Sequence, residues 1–169
     1  MNRARGFTLI ELIVVICVVA LLFGVALDRL QRYRELAERV LMERNLAAMN
    51  VALTLKFASL VTSGRAAEIE KEAGTNPVRL LARPPENYLG ELYAPDPATI
   101  AEGSWFFDRQ AGELVYVPSR TRYLSFPRES PGRLHFRIFL TDPSREPGAP
   151  KELPQPFVGP VRPFGWVIE

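Results

Sequence analysis

Residues 12–27, Leu-Ile-Val-Val-Ile-Cys-Val-Val-Ala-Leu-Leu-Phe-Gly-Val-Ala-Leu, carry no charge, and with 7–11 in front the segment reaches 21 residues. As a helix rising ~1.5 Å per residue it spans roughly 31 Å, about one hydrocarbon core. A membrane-inserted helix is therefore expected, and the rest of the chain must fold around that fact. Arg3 and Arg5 precede the segment and favour a cytoplasmic N-terminus, a signal diluted by Arg29, Arg32 and Arg34 behind it. Glu11 is the anomaly. An ionised side chain at the centre of a membrane helix costs ~2.5 to 3.5 kcal/mol on insertion scales. Glu11 needs a partner or a proton, or it must snorkel to the headgroups from the cytoplasmic end.

The stretch Gly6-Phe7-Thr8-Leu9-Ile10-Glu11-Leu12, followed by an apolar run, resembles the N-terminal signature of type IV pilins and of the pseudopilins of type II secretion. The resemblance covers about the first 27 residues. It implies that a prepilin peptidase in the inner membrane cuts after Gly6 and methylates the new N-terminal Phe7. It also implies that Glu11 guides docking between subunits. Physics is compatible with each role. A residue without a side chain at Gly6 lets the backbone extend into a protease cleft. The cut would create a cationic amine one helical turn, about 6 Å along the axis, before Glu11. Within one helix that amine competes with first-turn backbone geometry, so the amine of a neighbouring chain shifted along the axis is the better partner. A rival reading takes Gly24-Val25-Ala26 as the cleavage site of an ordinary secretory signal, with a soluble protein starting at Leu27. Glu11 counts against it, because such signals want an uninterrupted apolar region.

Removing residues 1–6 lowers Lys+Arg from 21 to 19, equal to the 19 acids, so the mature chain is near neutral. No basic run survives to neutralise phosphates, and no nucleic-acid partner is expected. The single cysteine, Cys17, lies in the apolar run, which excludes an intramolecular disulfide and a Cys-based zinc site. Asp96, Asp108 and Asp142 lack the close alternation of a calcium loop, so neither a metal site nor a cofactor is expected. Many major pilins close their C-terminal region with a disulfide, and major pseudopilins often carry calcium. Lacking both, the chain leans toward a minor pilin or a pseudopilin-like subunit.

From Asp28 to about Val61 no proline interrupts the helix, and Gly24 is the only glycine between Gly6 and Gly64. Leu30, Tyr33, Ala37, Val40, Leu41, Ala48, Val51, Ala52 and Leu55 follow the spacing of an apolar stripe that needs cover. Arg34 with Glu38, Glu35 with Arg39, and Arg39 with Glu43 are spaced for ion pairs on solvated faces. All 15 prolines lie in 77–163, so the C-terminal part cannot be a helical bundle. A short helix at 65–73, ended by Gly74, leads into a connector. Strands are expected at 104–107, 113–117, 134–140 and 164–168, with a hairpin turn at 108–112. Leu134, Phe136 and Ile138 share one face, expected to cover the helix stripe, with Trp105 and Trp166 in the core. The fold class is α+β: a long N-terminal helix, membrane-spanning in its first half, packed on a C-terminal antiparallel sheet, as in pilins. The divisions are a leader 1–6, a membrane half 7–27, a periplasmic half 28–63, a connector 64–103, and the sheet with Pro-rich loops 104–169.

The sequence offers no convincing active site, and the resemblance implies a filament subunit. Its implied partners are prepilin peptidase, other pilin or pseudopilin subunits, the inner-membrane assembly platform and membrane lipid. It would sit in the bacterial inner membrane as a single-pass protein with a periplasmic C-terminal part, and later in a filament. The Pro-rich loops 118–131 and 143–163 are candidates for adhesion or cargo contacts. The alternative is a soluble secreted or membrane-anchored periplasmic binding protein. A hydrolase would need Ser104, Ser119, Ser125, Ser130 or Ser144 beside His135, and no Gly-x-Ser-x-Gly elbow is present.

Overall fold

The computed structural model describes residues 8–96, 99–126, 132–141 and 155–167. Helix α1 (Leu9–Thr62) is followed by two 3₁₀ helices (Ala66–Glu72 and Pro77–Leu80) and strands β1 (Tyr88–Leu92), β2 (Ser104–Asp108), β3 (Glu113–Val117), β4 (Leu124–Ser125), β5 (Leu134–Thr141), β6 (Gln155–Pro160) and β7 (Gly165–Trp166). The chain forms two compact units, Met1–Ala37 and Glu38–Glu169, and α1 contributes to both. The fold is α+β and pilin-like.

Both ends of α1 are capped. Thr8 Oγ1 accepts a 3.3 Å hydrogen bond from the Glu11 N–H, which satisfies one of the donors a helix leaves open at its start. At the other end Gly64 adopts φ 69°, a conformation open mainly to glycine. There the Gly64 N–H reaches the Val61 carbonyl at 3.0 Å and the Arg65 N–H the Leu60 carbonyl at 2.8 Å. That pair of bonds is the Schellman stop.

The main sheet runs β1-β2-β3-β5-β6, and β4 pairs β7 separately. It is mixed, which corrects the antiparallel expectation: β1, in the stretch read as connector, runs parallel to β2. The expected β2–β3 hairpin and β5 are present, and the last predicted strand shortens to Gly165–Trp166, with Ile168 outside the described residues. β6 was not anticipated. Trp105, Phe107, Leu114, Tyr116, Leu134, Phe136, Ile138 and Val158 form the core face of the sheet, with Trp166 from β7 beside them. Trp105 packs on Tyr116 and Phe136 at centroid distances of 4.6 and 5.7 Å.

The helix face that meets this core is Met42, Met49, Leu53 and Leu60, with Leu46 and Phe57 at its margin. The stripe expected to face the sheet does the reverse: Val40, Leu41, Val51 and Leu55 are all exposed. At 100° per residue the two rows lie on roughly opposite sides of the helix. The physical reason lies in Glu38, which shares the buried side and is itself buried. Its charge makes that side read as solvated.

Asn50, on the flank of the buried row, closes one edge of the sheet. Its Oδ1 accepts from the Val158 N–H at 2.7 Å, and its Nδ2 donates to the Val158 carbonyl at 3.1 Å. On β6 the register with β5 aims Gln155, Phe157 and Gly159 at the partner strand, leaving 156, 158 and 160 facing outward. Two of those are proline, which has no N–H to offer. Asn50 thus occupies the one outward N–H on β6, and the edge cannot accept a further strand. Replacing Asn50 by Leu is expected to cost about 1 to 3 kcal/mol, because both Val158 backbone groups lose their partner. Hydrogen exchange of the Val158 amide should accelerate well beyond that of Ile138 on the neighbouring strand. Equal changes at both would mean the contact is incidental.

Candidate functional site

The Met1–Ala37 unit carries the residues singled out in the sequence. Gly6 and Phe7 lie outside the described residues. Glu11 sits in the first turn of α1, an acid at the positive end of the helix dipole. Leu9–Thr62 is long and apolar enough to cross a membrane, with mean hydropathy 3.0 in its best window and none of that window covered by protein. Even the least exposed of the large aliphatic residues in 9–27, Val19, is 44% open. Such a surface is stable in lipid or against other chains, since water would not tolerate it. Cys17 is exposed on it as a free thiol.

In the Glu38–Glu169 unit the exposed row of α1 continues the same problem outside the span. Val40, Leu41, Val51 and Leu55 leave an apolar surface on the side of the helix that its own sheet does not use. Sequence periodicity found this row and assigned it the wrong cover.

The buried side is held by a carboxylate. Glu38 Oε1 accepts from Tyr116 Oη at 2.9 Å and from the Ser119 N–H at 2.6 Å. Its Oε2 accepts from Ser119 Oγ at 2.7 Å, and the Arg120 guanidinium stands 3.7 Å away. A charge this buried survives only with such a set of donors. The expected Arg34 pair on a solvated face is corrected: Glu38 turns inward to the end of β3. Arg39 does pair with Glu43 at 2.8 Å, and also donates to the Trp166 carbonyl at 2.6 Å. Burial, followed by the hydrogen bond and charge of Glu38, pushes the Tyr116 phenol far above its usual range.

Two further polar clusters lie on the sheet. His135 Nδ1 meets Glu113 Oε2 at 2.8 Å, and Arg137 reaches Glu113 Oε1 at 2.7 Å. Its neighbour is thus an acid and an Arg, with none of the serines: Ser119 binds Glu38, Ser125 bonds the Gly165 carbonyl, Ser104 is buried, and Ser130 and Ser144 lie outside the described residues. Beside β1, Asn76 donates to Tyr88 Oη and Glu91 at 2.7 and 2.8 Å, while Arg79 forks onto Glu91 at 2.5 and 2.7 Å. Arg79, then Asn76, hold the Glu91 carboxyl below its usual range. Both clusters tie neighbouring segments together, although the buried Arg137 Nε has no hydrogen-bond partner among the described residues. Among the described residues no three His, Cys, Asp or Glu side chains gather as metal ligands, and Asp142 lies outside them.

Residues 1–27 match the family model of the prokaryotic N-terminal methylation motif. That motif is the signature of type IV pilins and pseudopilins. It supports reading the chain as the precursor of a pilin-like or pseudopilin subunit, with processing by prepilin peptidase and assembly with other pilins as what it implies. Among the described residues α1 is the one helix apolar and long enough to cross a membrane, which agrees with a one-pass membrane anchor. No curated protein and no solved structure matches the chain.

Glu38→Ala is expected to cost about 2 to 4 kcal/mol, since it strands three donors at once. Chemical denaturation of the purified protein checks this. Tyr116→Phe should cost less and reveal itself by pH. A phenol whose folded value is raised stabilises the fold below its unfolded value, near pH ~10, and that contribution is lost as pH rises above it. Wild-type stability should therefore fall more steeply above pH ~10 than that of Tyr116→Phe. Parallel curves would contradict the buried placement of this hydroxyl.

Proposed function

We propose that the chain is a prepilin-type precursor whose product is a filament subunit with no catalytic role. Prepilin peptidase cuts between Gly6 and Phe7 and methylates the new amine. Residues 7–27 then hold the subunit in the inner membrane, with the C-terminal part in the periplasm. Copies or related subunits join it, through the assembly platform, into a type IV pilus or a type II secretion pseudopilus. The absence of cysteines outside the membrane segment favours a minor pilin or a pseudopilin among these.

The observation that carries this reading is the second apolar row on α1. A helix apolar on two opposite sides, one covered by its own sheet and one left open, is suited to packing against other helices. Glu11 supplies register, because a carboxylate in an apolar environment is stable only opposite a cation, and the Phe7 amine of a neighbour is of the right kind.

Intact mass and N-terminal fragmentation of protein from membranes of a host with prepilin peptidase should give a chain starting at methylated Phe7. A chain starting at Leu27 would identify a secretory signal, and one starting at Met1 an unprocessed anchor; either defeats the proposal. Glu11→Leu is expected to insert and be processed like wild type yet be lost from filaments at least tenfold. Normal incorporation would remove the docking role from Glu11.

A further inference from the structure

At the end of the apolar span, α1 carries a groove of about 420 Å³ lined by Gly24, Val25, Asp28, Arg29 and Arg32. Residues three and four apart share a helix face, so Leu21, Gly24, Val25, Asp28 and Arg32 form one strip, with Arg29 at its border. The upper part of that strip is apolar and fully open: Leu21 is 70% exposed. Gly24 interrupts it with a notch, where nothing lies within 4 Å of the space a Cβ would fill. The lower part is charged. Arg32 meets Asp28 at 3.5 Å, a single contact that leaves other guanidinium donors open, and both side chains are about half exposed. Arg29 has no ion pair or hydrogen bond among the described residues. With Asp28 counted, the strip keeps one net positive charge.

We infer that this strip binds one anionic phospholipid of the membrane that holds the helix. The acyl chain would lie along Leu21 and Val25 and settle into the Gly24 notch, and the headgroup phosphate would take Arg29 and the free side of Arg32. The assignment rests on the proposed membrane insertion of residues 7–27, since only that places Arg29 and Arg32 at headgroup depth, roughly 33 and 38 Å from the start of the span. Arginine stems reach along apolar surface and leave the guanidinium at the interface, where its fork fits a phosphate diester. A lipid, unlike a free phosphate, uses both halves of the strip. The net positive charge selects an anionic headgroup over a zwitterionic one.

The test is native mass spectrometry of the full processed chain, released in mild detergent with equal phosphatidylglycerol and phosphatidylcholine. Wild type should retain phosphatidylglycerol preferentially. The doubly substituted Arg29→Gln/Arg32→Gln chain should retain roughly tenfold less. Gly24→Leu should lower retention of both lipids by filling the notch, and Arg44→Gln, an exposed position away from the strip, should match wild type. Equal retention by wild type and the double variant would overturn the inference, as would displacement of the lipid by excess inorganic phosphate. Extraction with carbonate separates the two readings. A chain that washes off the membrane defeats membrane insertion and this site together. A chain that stays but shows no lipid preference defeats the site alone.

Discussion

A helix with apolar side chains on two opposite sides can satisfy only one of them against a single sheet, and what decides between them here is a buried charge. Glu38 would be prohibitively costly to bury without donors. The end of β3 supplies them from Tyr116, Ser119 and Arg120. With Glu38 turned inward, the Met42, Met49, Leu53 and Leu60 row follows onto the core face of the sheet, and the Val40, Leu41, Val51 and Leu55 row is left outside. Arg39 and Asn50 flank the buried row and lock it to the Trp166 and Val158 backbones. Apolar burial of the Met42, Met49, Leu53 and Leu60 row supplies most of the stability. The polar contacts beside it fix the orientation in which that row is buried.

That choice accounts for how far the sequence could be read. The N-terminal motif, the uninterrupted helix and the β2–β3 hairpin are local features, visible as spacing, missing prolines and a turn. The orientation of α1 is not local. Periodicity locates an apolar row correctly, yet Glu38 makes the true core side look solvated, because its partners sit some 80 residues away in sequence, as Ser119 does. β6 was hidden for another reason. Pro156, Gly159 and Pro160 argue against a strand by composition, and are tolerated because both prolines face outward on an edge. β1 is short, holds a glycine at φ 100° and pairs in parallel, so no hairpin turn announced it. Of the candidate site, Glu11 is legible because a carboxylate in an apolar run is rare, while Gly6 and Phe7 rest on the motif match.

The two units pose the same demand in different solvents. In 12–27 every side of the helix is apolar and open, as suits lipid. Beyond Leu27 only one side is, as suits contact with another helix. The sheet edge at β6 is closed by Asn50 and two prolines, which discourages strand-to-strand association there, while the helix row stays open as an apolar surface. A subunit of this kind would be stored in the membrane and assembled along its helix.

The most direct measurement is disulfide cross-linking on a Cys17→Ser background, with single cysteines placed at Val51, Leu55 or Leu53 and the protein oxidised in membranes or filaments. Val51→Cys and Leu55→Cys should give cross-linked dimers, while Leu53→Cys, on the buried row, should remain monomeric. Cross-linking at Leu53 with none at Val51 and Leu55 would mean that the helix presents its other face, and the assignment of one row to the sheet and one to neighbouring chains would be wrong.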